Sequence, residues 1–203
     1  MQLGIFGGSF DPVHWGHLVL AKSCLQQAVL DQVWFVPTAH QPFKPQGPQA
    51  SECHRLAMLQ LACQSESRFI VSEIEFSRGG VSYTVDTLAA IREDLPAARL
   101  FFLMGADALV DFPNWYQPAE ICRLATPLVV HRAGSMQPDF QHIKKFMSRQ
   151  QLAIMHQLQV EMPATPISSS QIRKLISEDG DWRLLVPPAV AEYIEQQDLY
   201  RAC

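Results

Sequence analysis

Two histidines three positions apart, His14 and His17, follow two glycines and a proline in the stretch GGSFDPVHWGH, residues 7–17. At the start of a helix, imidazoles at i and i+3 face one side. Each ring can donate a hydrogen bond to a phosphate oxygen, whether neutral or protonated. Such a pair can hold a phosphoryl group and follow its charge as it builds up during displacement. A second cluster lies about 150 residues downstream, far enough that only the fold can bring the two together. There Pro166 precedes three hydroxyls, Ser168, Ser169 and Ser170, and Arg173 follows by about one turn. A helix start offers unpartnered N–H groups and a favourable dipole to an anion. A guanidinium fork matches phosphate oxygens. Each cluster also has a plainer reading: structural histidines or metal ligands in the first, a serine-capped helix with a surface arginine in the second. A metal would want a third protein ligand, and none stands at a compelling spacing.

The elements that must position these groups alternate between strand and helix signals. Leu3 to Phe6 reads as a buried strand, and the segment after His14 as a helix with Leu18, Ala21, Leu25 and Ala28 on one face. Val33 to Val36 is a second strand, followed by a proline- and glycine-rich loop to Gln49 and a helix from Ser51 to about Cys63. FIVSEIEF, residues 69–76, reads as a further strand, and Gly79 and Gly80 lead to a helix from about Tyr83 to Asp94. Arg99 to Gly105 is the strongest strand signal, Pro127 to Arg132 follows, and the tail holds two helices. This order implies an α/β fold, a doubly wound parallel sheet with a small C-terminal helical part, in one domain over residues 1–203. Ligands of such sheets collect at the carboxyl ends of the strands. Gly7 and Gly8 fall there, where glycine permits unusual dihedrals and lets a phosphate approach backbone N–H groups. Neither GxGxxG nor GxxxxGK[ST] occurs, so the histidines must supply what those motifs lack.

Composition narrows the class. The 203 residues are 48% hydrophobic and 18% charged, enough for a sizeable core. No stretch approaches the roughly 20 apolar residues that span a bilayer. The N-terminus lacks the basic segment and apolar run of a signal peptide, so the expected compartment is the cytoplasm. A net charge of −4 argues against a general nucleic-acid binder, and an anionic ligand would need its neutralising groups gathered locally. The five cysteines form no CxxC pair, which suggests neither a zinc cage nor a disulfide framework. No feature of the sequence fixes an oligomeric state.

GGSFDPVHWGH resembles the GxFDPxHxGH signature of the nucleotidyltransferase superfamily. ISSSQIR, residues 167–173, is similar to its ISSTxxR motif, with Ser170 in place of the threonine but the hydroxyl kept. Within that superfamily the chain is similar, over nearly its whole length, to the bacterial nicotinate-nucleotide adenylyltransferases. The resemblance implies a Rossmann-like fold and transfer of AMP from ATP to nicotinate mononucleotide, with Mg²⁺ carried by the ATP rather than held in a protein cage. It implies His14, His17 and Arg173 as catalytic residues. It places ATP on Gly7, Gly8, Ser9, Phe10, His14, His17, Gly105, Asp107, Ile167, Ser168, Ser169, Ser170 and Arg173, with Asp107 on the adenosine ribose. For the acceptor it implies Lys44, Tyr83, Thr84, Trp115 and Arg132.

Chemistry supports parts of this assignment independently. A tryptophan face attracts a flat pyridinium cation by ~0.5–2 kcal/mol, although a loop aromatic such as Trp115 also serves to cover core. Uncapped N–H groups at the helix start near Tyr83 and Thr84 suit the ring carboxylate that distinguishes the acid from its amide. The chain departs from similar enzymes at Phe43, where they show histidine before the basic residue: Lys44 can still meet the acceptor phosphate, and the contact Phe43 cannot make is either lost or taken over by His40. Rival readings are an adenylyltransferase acting on nicotinamide mononucleotide or phosphopantetheine, and a non-catalytic nucleotide-binding domain. A dehydrogenase is disfavoured by the missing GxGxxG.

Overall fold

The computed structural model describes residues 1–41, 47–134 and 138–201. Its centre is a six-stranded parallel sheet: β1 (Gln2–Gly8), β2 (Gln32–Pro37), β3 (Phe69–Val71), β4 (Arg99–Gly105), β5 (Thr126–Arg132) and β6 (Val160–Met162). The spatial order is β3-β2-β1-β4-β5-β6, with every neighbouring pair parallel. This is the doubly wound order, in which the strand sequence reverses on either side of β1. The expected fold class is therefore the one observed.

Helices cover both faces: α1 (Trp15–Gln27), α2 (Glu52–Cys63), α3 (Ile74–Arg78), α4 (Thr84–Asp94), α5 (Pro118–Leu124), α6 (Arg149–Gln157), α7 (Ser169–Ser177) and α8 (Pro188–Gln196). β4 shows why its unbroken apolar run makes a central strand. Phe101 and Leu103 enter the core beneath α1, α2, α7 and α8, while Phe102 and Met104 enter the opposite core beneath α4, α5 and α6. A strand buried on both faces needs no polar alternation. Cys24, Cys63 and Cys122 are buried within these cores, and each thiol is shifted upward by that burial. No described helix is long and apolar enough to cross a membrane.

The FIVSEIEF strand ends early. β3 stops at Val71, and Ile74 opens a short helix. Here the alternating apolar residues serve a turn of helix at the sheet edge: Ile74 packs on the α4 side and Phe76 lies 5.0 Å from the Arg55 guanidinium. β6 is too short, at three residues, to show a period in sequence. α6 was also unmarked by periodicity, yet its capping box is written in Ser148 and Gln151.

Candidate active site

β1 ends at Gly8, and the chain turns through Ser9 to Val13 before α1 begins. One residue in this turn is left-handed, and it is not a glycine: Phe10 has φ 47°. The glycines serve by lacking a side chain. A Cβ on Gly7 would project into open space, and one on Gly8 would stand 3.1 Å from the Phe10 ring. Phe10 is buried between Phe6, Phe35 and His17, so its ring closes the core beneath the turn and leaves only its backbone for a ligand.

The two histidines meet as expected from their spacing. Their rings stack with centroids 3.7 Å apart and an interplanar angle of 23°. The His14 backbone N–H donates to His17 Nδ1 at 3.2 Å, which assigns the proton of a neutral His17 ring to Nε2. His14 Nδ1 is buried without a partner. Burial lowers the His14 pKa from 6.5 to about 4. Burial, and secondarily the charge of His14, hold His17 well below the ordinary histidine range. Both rings are thus neutral hydrogen-bonding groups in the free protein near pH 7.

A cavity of about 420 Å³ opens over these rings. Ser9, His14 and His17 form one wall, Gly105 and Asp107 a second, and Ile167 to Ser170 with Arg173 a third. The fold has joined two motifs that lie far apart in sequence. Each hydroxyl of the serine run has a separate task. Ser168 caps α7 by accepting from the Gln171 N–H, Ser169 donates to the Pro12 carbonyl at 2.9 Å, and Ser170 accepts from Arg173 at 3.3 Å. The N–H groups of the first α7 turn have no partner within the helix.

Arg173 is fixed from the other side by Asp11. Its Nη1 donates to the Asp11 carbonyl at 2.7 Å and stands 3.7 Å from the carboxylate. Asp11 itself is buried and accepts from the N–H groups of Gln49 and Ala50 and from the Tyr200 hydroxyl. That hub was not read from the sequence, because its partners lie 38, 39 and 189 positions away.

A second cavity, of about 290 Å³, lies on the other side of the β1 terminus. Gly7 and Gly8, expected in the ATP set, line this smaller cavity, apart from the histidines and serines of that set. The reason is the pleat and the turn: the chain crosses from one cavity to the other between Gly8 and Ser9. Tyr83, Thr84 and Trp115 line it as expected. Tyr83 sits at the α4 N-cap without a side-chain cap, so the first N–H groups of that helix lack partners within it. Trp115 packs on Phe102 and Phe112 and also lines this cavity.

Tyr116, 4.5 Å from Tyr83 ring to ring, was missed, as was buried Glu75, whose Oε1 accepts from Thr87 at 2.6 Å and whose Oε2 has no partner. The adjacent aromatic in NWY was the signal for Tyr116; nothing local marks Glu75. Arg132, expected in the acceptor set, is parted from Tyr83, Thr84 and Trp115. It lines the larger cavity, because β5 lies beyond β4 on the side away from β2. Buried His131 lines the same wall and was also missed. His40 is exposed, and its neighbour Gln41 lines the smaller cavity. Lys44 and Phe43 lie outside the described residues. Among the described residues, no cluster of three or more metal-ligating side chains is formed.

A doubly wound sheet with nucleotide-sized cavities at its switch point defines a nucleotide-binding α/β scaffold, and the cytidylyltransferase-like family model matches residues 5–175. Among curated proteins, "Nicotinate-nucleotide adenylyltransferase" of Bacillus subtilis (strain 168) is 34% identical over 99% of this chain and 99% of its own length. "Probable nicotinate-nucleotide adenylyltransferase" of Synechococcus sp. (strain JA-2-3B'a(2-13)) is 41% identical over 98% of this chain and 96% of its own. The fold is shared with Plasmodium falciparum nicotinic acid mononucleotide adenylyltransferase complexed with NaAD: TM-score 0.75, 20% identity, covering 98% of this chain and 97% of that one. The chain belongs to the nicotinate-nucleotide adenylyltransferase family of cytidylyltransferase-like proteins.

Proposed function

We propose that the chain transfers AMP from ATP to nicotinate mononucleotide, releasing pyrophosphate and forming the deamido dinucleotide of NAD biosynthesis. The observation that carries this reading is the pair of cavities meeting at the end of β1, one walled by stacked histidines and the other by aromatics and an uncapped helix start. ATP occupies the larger cavity and the mononucleotide the smaller, with their phosphates converging beside Gly8 and Ser9.

A phosphate oxygen of the mononucleotide attacks the α-phosphorus in line. The new P–O bond forms as the bond to the β-phosphate oxygen breaks, and its electron pair leaves with pyrophosphate. No covalent enzyme intermediate is needed, because the acceptor is already a nucleophile. The protein's work is to align two anions and stabilise charge at the reacting centre. His17 Nε2–H and the His14 ring face the α-phosphate, aided by the backbone of Ser9 and Phe10. Arg173 and the α7 N-terminus hold the departing pyrophosphate, and Asp107 accepts from ribose hydroxyls through the gap left by Gly105. Mg²⁺ bound to the ATP would neutralise part of the charge on its phosphate oxygens. In the smaller cavity Trp115 stacks on the pyridinium, and the first N–H groups of α4 bind the ring carboxylate.

The test is ATP-dependent pyrophosphate release with nicotinate and nicotinamide mononucleotides offered side by side. A strong preference for the acid is expected. Equal rates with the amide would refute the carboxylate assignment.

A further inference from the structure

Among the described residues, the most deeply buried charged side chain is not part of the chemistry described so far. Arg55, on the first turns of α2, is 1% exposed, yet its Nη1 serves two loops at once. It donates to the Ser9 carbonyl at 3.0 Å and to the Thr38 carbonyl at 2.8 Å. Ser9 lines the larger cavity and Thr38 lines the smaller. A single nitrogen atom therefore ties together the walls of both.

The consequences follow from peptide geometry. A trans peptide points its N–H opposite its C=O. Holding the Ser9 carbonyl on Arg55 turns the Phe10 N–H away from the guanidinium, and it does so at a residue in the left-handed conformation that L side chains disfavour. Holding the Thr38 carbonyl turns the Ala39 N–H the other way, where Ser82 Oγ accepts it at 2.9 Å. Ser82 is part of the wall of the smaller cavity. The bonded path from Ser9 through Arg55, Thr38 and Ala39 to Ser82 spans the boundary between the cavities. Phe76 closes one face of the guanidinium at 5.0 Å, next to Glu75 in the same wall.

We propose that Arg55 is a positioning residue that sets the phosphate turn against the second cavity, so that it governs the chemical step more than the binding of either substrate alone. This rests on the assignment of the two cavities to donor and acceptor. A strap of this kind needs the planar guanidinium rather than its charge alone, since two carbonyls from different loops must be met in fixed directions.

The experiment compares wild type with Arg55→Lys and Arg55→Ala in the pyrophosphate-release assay, with separate titration of KM for ATP and for nicotinate mononucleotide. Folded fraction is followed by circular dichroism. Misplacement of reacting groups by about 1 Å costs on the order of 100-fold, so kcat should fall about 10- to 100-fold in Arg55→Lys. Both KM values should stay within about threefold of wild type, the pattern of an interaction realised only in the transition state. Added guanidinium ion should recover part of kcat in Arg55→Ala and none in Arg55→Lys, whose ammonium fills the site. Wild-type kcat in Arg55→Lys, a raised KM with kcat intact, a loss matched by the unfolded fraction, or failure of both variants to fold would each overturn the proposal. If wild type proves to use nicotinamide mononucleotide or phosphopantetheine instead, the acceptor reading fails, and the same variants are judged by kcat with that acceptor.

Discussion

Acid should destabilise this protein through a single ring in a way that can be calculated. His14 is buried, and its pKa is held near 4 in the folded chain against 6.5 for an exposed histidine. A group with a depressed folded pKa binds fewer protons folded than unfolded, so lowering the pH favours the unfolded state. The loss begins as pH falls below 6.5, the unfolded value, and levels off below about 4. Between pH 7 and pH 5 the shift corresponds to about 2 kcal/mol from His14 alone. His14→Gln keeps a polar side chain of similar reach and removes the titration. Thermal melts of both proteins at the two pH values isolate this term, because every other ionisable group is common to both. The wild type should lose about 2 kcal/mol more than the variant, or about 4–8 °C of Tm for a chain of this size. The depressed pKa of His17 contributes in both, and relief from its neighbour's charge acts only to reduce the variant's loss further. Parallel pH profiles for the two proteins would refute the burial of a neutral His14.

Gly16→Ala should separate stability from catalysis. Its Cβ would stand 3.0 Å from both Cε1 and Nδ1 of the His14 ring, so kcat/KM for ATP should fall about 10-fold or more through displaced geometry. Melting should show stability within about 1 kcal/mol of wild type, since the roughly 0.5–1 kcal/mol by which alanine is favoured in a helix offsets much of the cost of shifting the buried ring. Trp115→Ala should raise KM for nicotinate mononucleotide by about 2- to 30-fold, the equivalent of ~0.5–2 kcal/mol of cation–π attraction. Its KM for ATP should be unmoved, and steady-state titration of each substrate reads the difference. Tyr200→Phe leaves buried Asp11 without one of its donors, and urea unfolding should show a loss of about 1–2 kcal/mol.

The legible parts of the site were those whose residues act within one turn of chain. His14 and His17 could be paired from spacing alone, and the helix start at Tyr83 and Thr84 could be placed from its own short stretch. What escaped were the groups that act across the fold. Arg55 is one arginine in an ordinary helical stretch until α2 docks against two strand ends 46 and 17 positions away. Asp11 belongs to the recognised motif, but its role as a hub depends on a tyrosine 189 positions later. The glycine pair was located correctly, yet the dihedral freedom attributed to it lies at Phe10. Periodicity cannot say which residue of a turn crosses into left-handed space when packing of a buried ring makes that choice.

The charge arrangement explains how a chain of net charge −4 can gather two anions. Its fixed positive charges at the reacting turn are partly neutralised before any ligand arrives: Arg173 stands 3.7 Å from the Asp11 carboxylate, and Arg55 is engaged by two carbonyls. The histidines are neutral, and among the described residues Arg132 and the backbone N–H groups at two helix starts add further donors. In the proposed reaction such a site would hold phosphates through oriented dipoles more than through net charge. Dipoles fixed by buried straps need no reorganisation as charge shifts from the attacking oxygen to the leaving one. A site of mobile lysines would bind the ground state as tightly as the transition state and accelerate nothing. On this reasoning the buried residues that hold the dipoles in place, Arg55 and Asp11, matter to the proposed turnover as directly as the paired rings.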